Sequence, residues 1–195
     1  AGQFEVTLTH TDPLAVADSA WLFRMLTEGL ARKHGATATF APKPFAEQTG
    51  TGLHVHFSLW DQKSDRNLFD DGETGSEMLR QSVAGCLAAM PASTLIFAPF
   101  TNSYDRFVDE AHAPTAVAWG YDNRTVAVRI PGGSPKSRRI EHRVAGGDAN
   151  PYLLLAAILG AALSGIEDAA KPPAPTEGNA YAKDRPSIPE DFSSA

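Results

Sequence analysis

The sequence predicts an α+β fold: an antiparallel β-sheet with helices packed on one face. Three observations carry this. Several short segments alternate apolar and polar residues at the period of a half-buried strand. Longer segments repeat at helical spacing behind cap residues and prolines. The links between the strands predicted over 115–144 are too short for crossover helices, which argues against a parallel sheet.

In chain order, Phe4, Val6 and Leu8 alternate with Gln3, Glu5 and Thr7, predicting a first strand. Thr11-Asp12-Pro13 then supplies a cap residue and a first-turn proline. Leu14, Ala17, Trp21, Leu22, Met25 and Leu30 follow at helical spacing, and Gly35 stands where a C-terminal cap glycine belongs. Residues 36–40 read as another strand. Over 53–60, Leu53, Val55, Phe57 and Leu59 point one way and His54, His56, Ser58 and Trp60 the other. A polar loop covers 61–67. A helix over 76–90 has Met78, Leu79, Val83, Cys86 and Leu87 as its inner face, and Pro91 restarts a short helix to about residue 97. Strands are predicted over 115–119, 125–130 and 138–144. Asn150-Pro151 opens an apolar helix running to about residue 166. Residues 171–195 hold five prolines and little periodicity, and read as an extended strap or a linker.

The chain has 195 residues, with 17 Lys and Arg against 23 Asp and Glu, a formal charge of −6. That balance argues against a general nucleic-acid binder. One cysteine, Cys86, excludes an intrachain disulfide framework. The apolar stretch over 152–163 is shorter than the roughly 20 residues that span a bilayer. No signal-peptide pattern is visible at residues 1–11. The expectation is a soluble, cytoplasmic protein without a membrane or nucleic-acid partner.

The charge is unevenly placed. Arg124, Arg129, Lys136, Arg138, Arg139 and Arg143 fall within 20 residues whose only acid is Glu141. On a strand, Arg139, Glu141 and Arg143 share one face and Ile140, His142 and Val144 the other. A carboxylate between two guanidiniums stays ionised, and such arginines can grip a phosphoryl group. The stretch reads either as that anion site or as a solvated ion pair. A Gly50-Thr51-Gly52 loop leads into His54 and His56, which could ligate a metal or stand half-exposed beside a turn; alone, the second reading is favoured. This loop is not a P-loop, lacking Lys-Ser/Thr and a following helix. The polar loop Asn102-Ser103-Tyr104-Asp105-Arg106-Phe107 and the single Glu5 are uninformative on their own.

Taken together and in order, seven stretches resemble the C-terminal catalytic region of the glutamine synthetase family. They are GQFEV (2–6), ATFAPKP (38–44), GTGLHVHFSLW (50–60), NSYDRFV (102–108), DNRTVAVRIP (122–131), SPKSRRIEHR (134–143) and DANPYLLLAAIL (148–159). The resemblance implies an ATP-dependent ligase that activates the glutamate γ-carboxylate as γ-glutamyl phosphate and transfers it to ammonia, with ATP and Mg²⁺ or Mn²⁺. It implies metal ligation by Glu5, His54 and Glu141. It places Arg124 on the transferred phosphate, Arg143 near the reacting carboxylate, and Arg106 and Gly50 on the amino-acid substrate. His56, Ser58, Arg129, Lys136 and Arg139 fall on the nucleotide side. His112 occupies the flap position where glutamine-forming members carry Glu, and Thr49 a loop position where they carry Asn. With Trp119-Gly120, these departures open an alternative: γ-glutamylation of a larger amine such as a polyamine or ethanolamine. A non-catalytic nucleotide- or amino-acid-binding relative is the alternative of another class. The family's size implies that 1–170 are a partial catalytic domain and 171–195 its proline-rich tail, lacking an N-terminal β-grasp domain and C-terminal helices. On this reading the segment alone is inactive and the full-length form is a homo-oligomer.

Overall fold

The computed structural model describes residues 2–72, 74–108, 113–181 and 186–195. Three helices begin where their caps dictate. Helix α1 (Pro13–Lys33) starts behind Asp12, whose Oδ1 accepts the Ala15 N–H, and the turn after it contains Gly35 at φ +70°. Helix α2 (Glu77–Ala89) starts behind Ser76, whose Oγ accepts the Leu79 N–H and donates to Leu68 O. A short α3 (Thr94–Phe97) follows a single 3-10 turn opened by Pro91. Helix α4 (Pro151–Glu167) starts behind Asn150, whose Oδ1 accepts from Tyr152 and Leu153.

Helices α2 and α4 cross in backbone contact. A Cβ on Gly85 would stand 2.0 Å from Ala161 O, and one on Gly165 would stand 2.3 Å from Gln81 O. Only paired glycines allow that approach. The crossing carries Leu79, Val83, Leu87, Leu154 and Ile158 into one buried cluster with Val128, Ile130 and Ile140 of the sheet.

Four strands form that sheet, in the order β1 (Val55–Phe57), β6 (Ile140–His142), β5 (Val128–Ile130), β4 (Trp119–Tyr121). A separate two-stranded ribbon pairs β2 (Trp60–Asp61) with β3 (Arg66–Asn67). The pairs β1–β6 and β6–β5 are antiparallel, as predicted, but β4 and β5 run parallel. No crossover helix is needed, because strands of three residues are only about 10 Å long. Six residues suffice to return the chain, helped by Asp122 at φ +46° and an Asn123 side chain that accepts from Thr125 N–H and Oγ1.

Two predicted strands are absent. Residues 2–10 make no ladder, and Phe4 and Val6 are 88% and 55% exposed. Alternation describes two faces of a strand and says nothing of a partner, and no described strand lies beside this one. Residues 36–40 are also outside any ladder; Phe40 is held instead by edge contact with Phe23 and by Arg24 lying over its ring. The strand expected over 115–119 is reduced to one bridge, Ala116 with Ser187, before β4 begins.

The proline-rich tail is a strap. Trp119 Nε1 donates to Pro173 O, Thr176 N–H to Trp119 O, Val117 N–H to Pro186 O and Ile188 N–H to Thr115 O. Asn123 Nδ2 reaches both Thr176 O and Gly178 O.

Candidate active site

Register creates the site. His56 of β1 lies opposite Glu141 of β6, which lies opposite Arg129 of β5. One residue on, Val55, His142 and Val128 form the parallel row that turns into the core. The helices cover the apolar face, so the polar row is left on the other. Arg139 and Arg143, two residues either side of Glu141, join it as the strand period requires.

Glu141 is the hub and is 2% exposed. Arg129 Nη1 donates to its Oε2 at 2.9 Å, and Arg143 Nη1 donates to its Oε1. His54 Nδ1 lies 3.3 Å and His56 Nε2 3.9 Å from the same Oε1. Burial by itself would raise the Glu141 carboxyl. The His54 hydrogen bond and the Arg143 and Arg129 guanidiniums outweigh it and hold the group well below the usual carboxylate range. Arg139 Nε donates to His56 Nδ1 at 3.1 Å, which fixes Nδ1 as acceptor and leaves the proton of neutral His56 on Nε2, facing Glu141. Burial lowers the His56 pKa, Glu141 opposes that, and Arg139 adds to it. Arg129 also holds Asp122 through Nη2, so a second carboxylate shares its charge.

Other predicted residues lie apart from this hub. Gly50 and Arg106 meet: a Cβ on Gly50 would stand 2.8 Å from Arg106 Cγ and 2.7 Å from Pro42 O. Arg106 is 2% exposed, with Nη2 donating to Val144 O. Ser58 Oγ accepts from Trp60 Nε1. Lys136 is exposed on the 3-10 turn Pro135–Ser137. Arg124 is exposed on the wall of an open cleft of about 710 Å³ between residues 121–124 and 175–178. Glu5 is exposed; Gln3 beside it donates to Gly50 O. His112 lies outside the described residues.

The donors present do not by themselves fit a hard divalent cation, which takes about six oxygen ligands. Among the described residues no group of three or more His, Cys, Asp or Glu is placed to hold a metal. His54 and Glu141 converge without Glu5, and both Glu141 oxygens already accept from guanidiniums.

Sequence reasoning missed three supporting residues. Asp122 completes the Arg129 fork. Asn67, 3% exposed, donates through Nδ2 to Lys136 O and Arg138 O and accepts the Phe69 N–H, so it clamps the turn that carries the basic residues. Asp148 is joined to Ser103. Each acts across a loop closure that leaves no local pattern.

Residues 1–195 match the family described as "Glutamine synthetase, catalytic domain". The chain is 42% identical over 179 residues to gamma-glutamylputrescine synthetase PuuA of Escherichia coli K12, covering 91% of this chain and 38% of that protein. It is 39% identical over 188 residues to gamma-glutamylethanolamide synthetase GlnA4 of Streptomyces coelicolor, covering 96% and 40%. Glutamine synthetase of Pyrococcus furiosus matches at 38% over 179 residues, covering 92% and 40%. A solved GmaS/ADP complex superposes with a TM-score of 0.86 at 36% identity, covering 94% of this chain and 44% of that one. The chain thus spans about two fifths of the length of these curated relatives. A family match along all of its residues, with relatives at this identity, makes the chain a member of the glutamine synthetase family.

Proposed function

We propose that this chain is most of the catalytic domain of a longer ATP-dependent glutamate–amine ligase. The observation that carries the reading is the cross-strand row His56, Glu141, Arg129, flanked by Arg139 and Arg143, on the sheet face the helices leave open. The γ-phosphoryl group of ATP passes to the glutamate γ-carboxylate, ADP leaves, and the amine nitrogen then displaces phosphate to form the amide. Negative charge spreads over phosphoryl oxygens in the first step, and fixed guanidiniums stabilise it without reorganising. Glu141 keeps Arg129 and Arg143 oriented and stays ionised while doing so. Arg139 and Lys136 serve the nucleotide, Arg124 the transferred phosphate, and Arg106 with Gly50 the amino-acid end of glutamate. Mg²⁺ or Mn²⁺ would neutralise phosphate charge, with Glu5, His54 and Glu141 among the ligands and further oxygen ligands supplied from outside residues 1–195. A homo-oligomer fits that need for residues from beyond the segment.

Two acceptors compete. Ammonia is the acceptor of glutamine formation. A larger amine is favoured by Thr49 and His112, since a histidine able to carry its own proton is a poor trap for ammonium. The names of the PuuA and GlnA4 relatives support the same reading. The test is phosphate release by the intact protein with glutamate, ATP, Mg²⁺ and a panel of ammonium, putrescine and ethanolamine. Strong preference for ammonium selects glutamine synthesis, and preference for a larger amine selects the second reading. Nucleotide binding with no turnover on any amine refutes the ligase. Residues 1–195 alone are expected to release no phosphate.

A further inference from the structure

We propose that Asp148, aimed by Ser103, is a positioning residue that holds the Arg106 guanidinium ready for the carboxylate of the substrate. This rests on the reading of Arg106 as the amino-acid contact. Ser103 is fully buried, and its Oγ accepts the Phe100 N–H at 3.0 Å. Its single proton is therefore free to go to Asp148 Oδ2, which it reaches by a short hydrogen bond. That bond fixes the carboxylate plane and leaves Oδ1 buried with no partner.

Arg106 shows the complementary deficit. Its Nη2 is used on Val144 O, its face lies over the Phe107 ring, and its Nε–H is buried with no partner. The two unused atoms face one hollow: a Cβ on Gly146 would stand 2.2 Å from Asp148 Oδ1 and 2.9 Å from Arg106 Nε. The missing side chain at Gly146 is what lets acceptor and donor approach from opposite sides. Burial pushes Arg106 down to about 10, and the Asp148 charge is the influence that opposes it. A buried guanidinium needs both its charge balanced and its plane held; the Asp148 charge across the hollow serves the first, and the bond to Val144 O serves the second.

The test uses the intact enzyme and steady-state kinetics with its best acceptor amine. Asp148→Asn keeps shape and removes charge. It is expected to raise the KM for glutamate about 10- to 100-fold while the KM for ATP stays within about twofold. Ser103→Ala moves the same constant less. The double variant is no worse than Asp148→Asn, because both act through one carboxylate. Arg106→Gln separates the two levels of the argument. If Arg106→Gln raises the glutamate KM and Asp148→Asn does not, the positioning role is overturned and the reading of Arg106 stands. If Arg106→Gln leaves it unchanged, that reading fails and the inference fails with it. A rise in both substrate constants together, with a lowered melting temperature, marks a structural role only and also overturns the proposal. Should Asp148→Asn not fold, Ser103→Ala decides: an unchanged glutamate KM refutes it.

Discussion

Gly85→Ala is the sharpest probe of how this chain is packed. The new methyl would lie 2.0 Å from Ala161 O and 2.8 Å from Gly165 N, both backbone atoms that cannot rotate away. Restoring an ordinary contact near 3.4 Å needs α4 to retreat from α2 by roughly 1.4 Å. A gap of about 1 Å already forfeits up to half of a dispersion contact. The retreat would loosen Val83, Cys86 and Leu87 against Leu154, Ile158 and Ala162, all of them buried. Overpacking of this kind costs about 3 kcal/mol or more, and the better helix propensity of Ala returns about 1 kcal/mol. The expected net loss is about 2–4 kcal/mol. Gly160→Ala is the matched control, also within α4 but with nothing within 4 Å of its Cβ position. It should be stabilised by up to about 1 kcal/mol. Urea unfolding of the intact protein, followed by far-UV circular dichroism, reads both. If Gly85→Ala is as stable as the parent, the helices do not cross in backbone contact and the packing argument is wrong.

Other consequences can be checked as directly. Glu141→Gln leaves the Arg129 and Arg143 guanidiniums, 14% and 6% exposed, without their shared charge; it should lower stability by about 3–5 kcal/mol and abolish phosphate release. Asn67→Ala frees the carbonyls of Lys136 and Arg138 and the N–H of Phe69. The expected loss is about 2–4 kcal/mol with a raised KM for ATP, and an unchanged ATP constant would show that the clamp does not serve the nucleotide. Burial pushes the Cys86 thiol up to about 12, from an ordinary value of 9.0. Its contribution is therefore intact below pH 9, and stability falls as pH rises above that because only the unfolded chain ionises, by about 1 kcal/mol near pH 10. A Cys86→Ala variant should lack this part of the alkaline slope, and the parent thiol should resist aromatic disulfide reagents at pH 8 until urea unfolds it.

What the chain disclosed before its structure follows a physical division. Helix starts were legible because the signal is local: Asp12, Ser76 and Asn150 each satisfy an N–H within three residues of themselves. Strands at 3–8 and 36–40 were misread because a strand exists only with a neighbour, and period two carries no address. The parallel β4–β5 pair escaped because rules on crossover length are drawn from longer strands. At the site, the face shared by Arg139, Glu141 and Arg143 was readable from period alone. The partnership of Glu141 with His56 and Arg129 needed the register of two ladders. Asp122 contributes across the turn that joins β4 to β5, and Asn67 and Asp148 through contacts with segments 45 or more residues away, where no periodicity survives.

The strap over β4 bears on how this sheet comes into being during synthesis. Trp119 is bonded to Pro173 and Ala180 to Thr125, pairings that span 54 and 55 residues of chain. A ribosome therefore exposes the β4 edge well before the segment that covers it has been made, and for that interval the edge can recruit another nascent chain. Once in place, the strap ends the hazard by composition as well as by contact. Pro172, Pro173 and Pro175 carry no N–H, so the covering segment offers a poor template for a further strand.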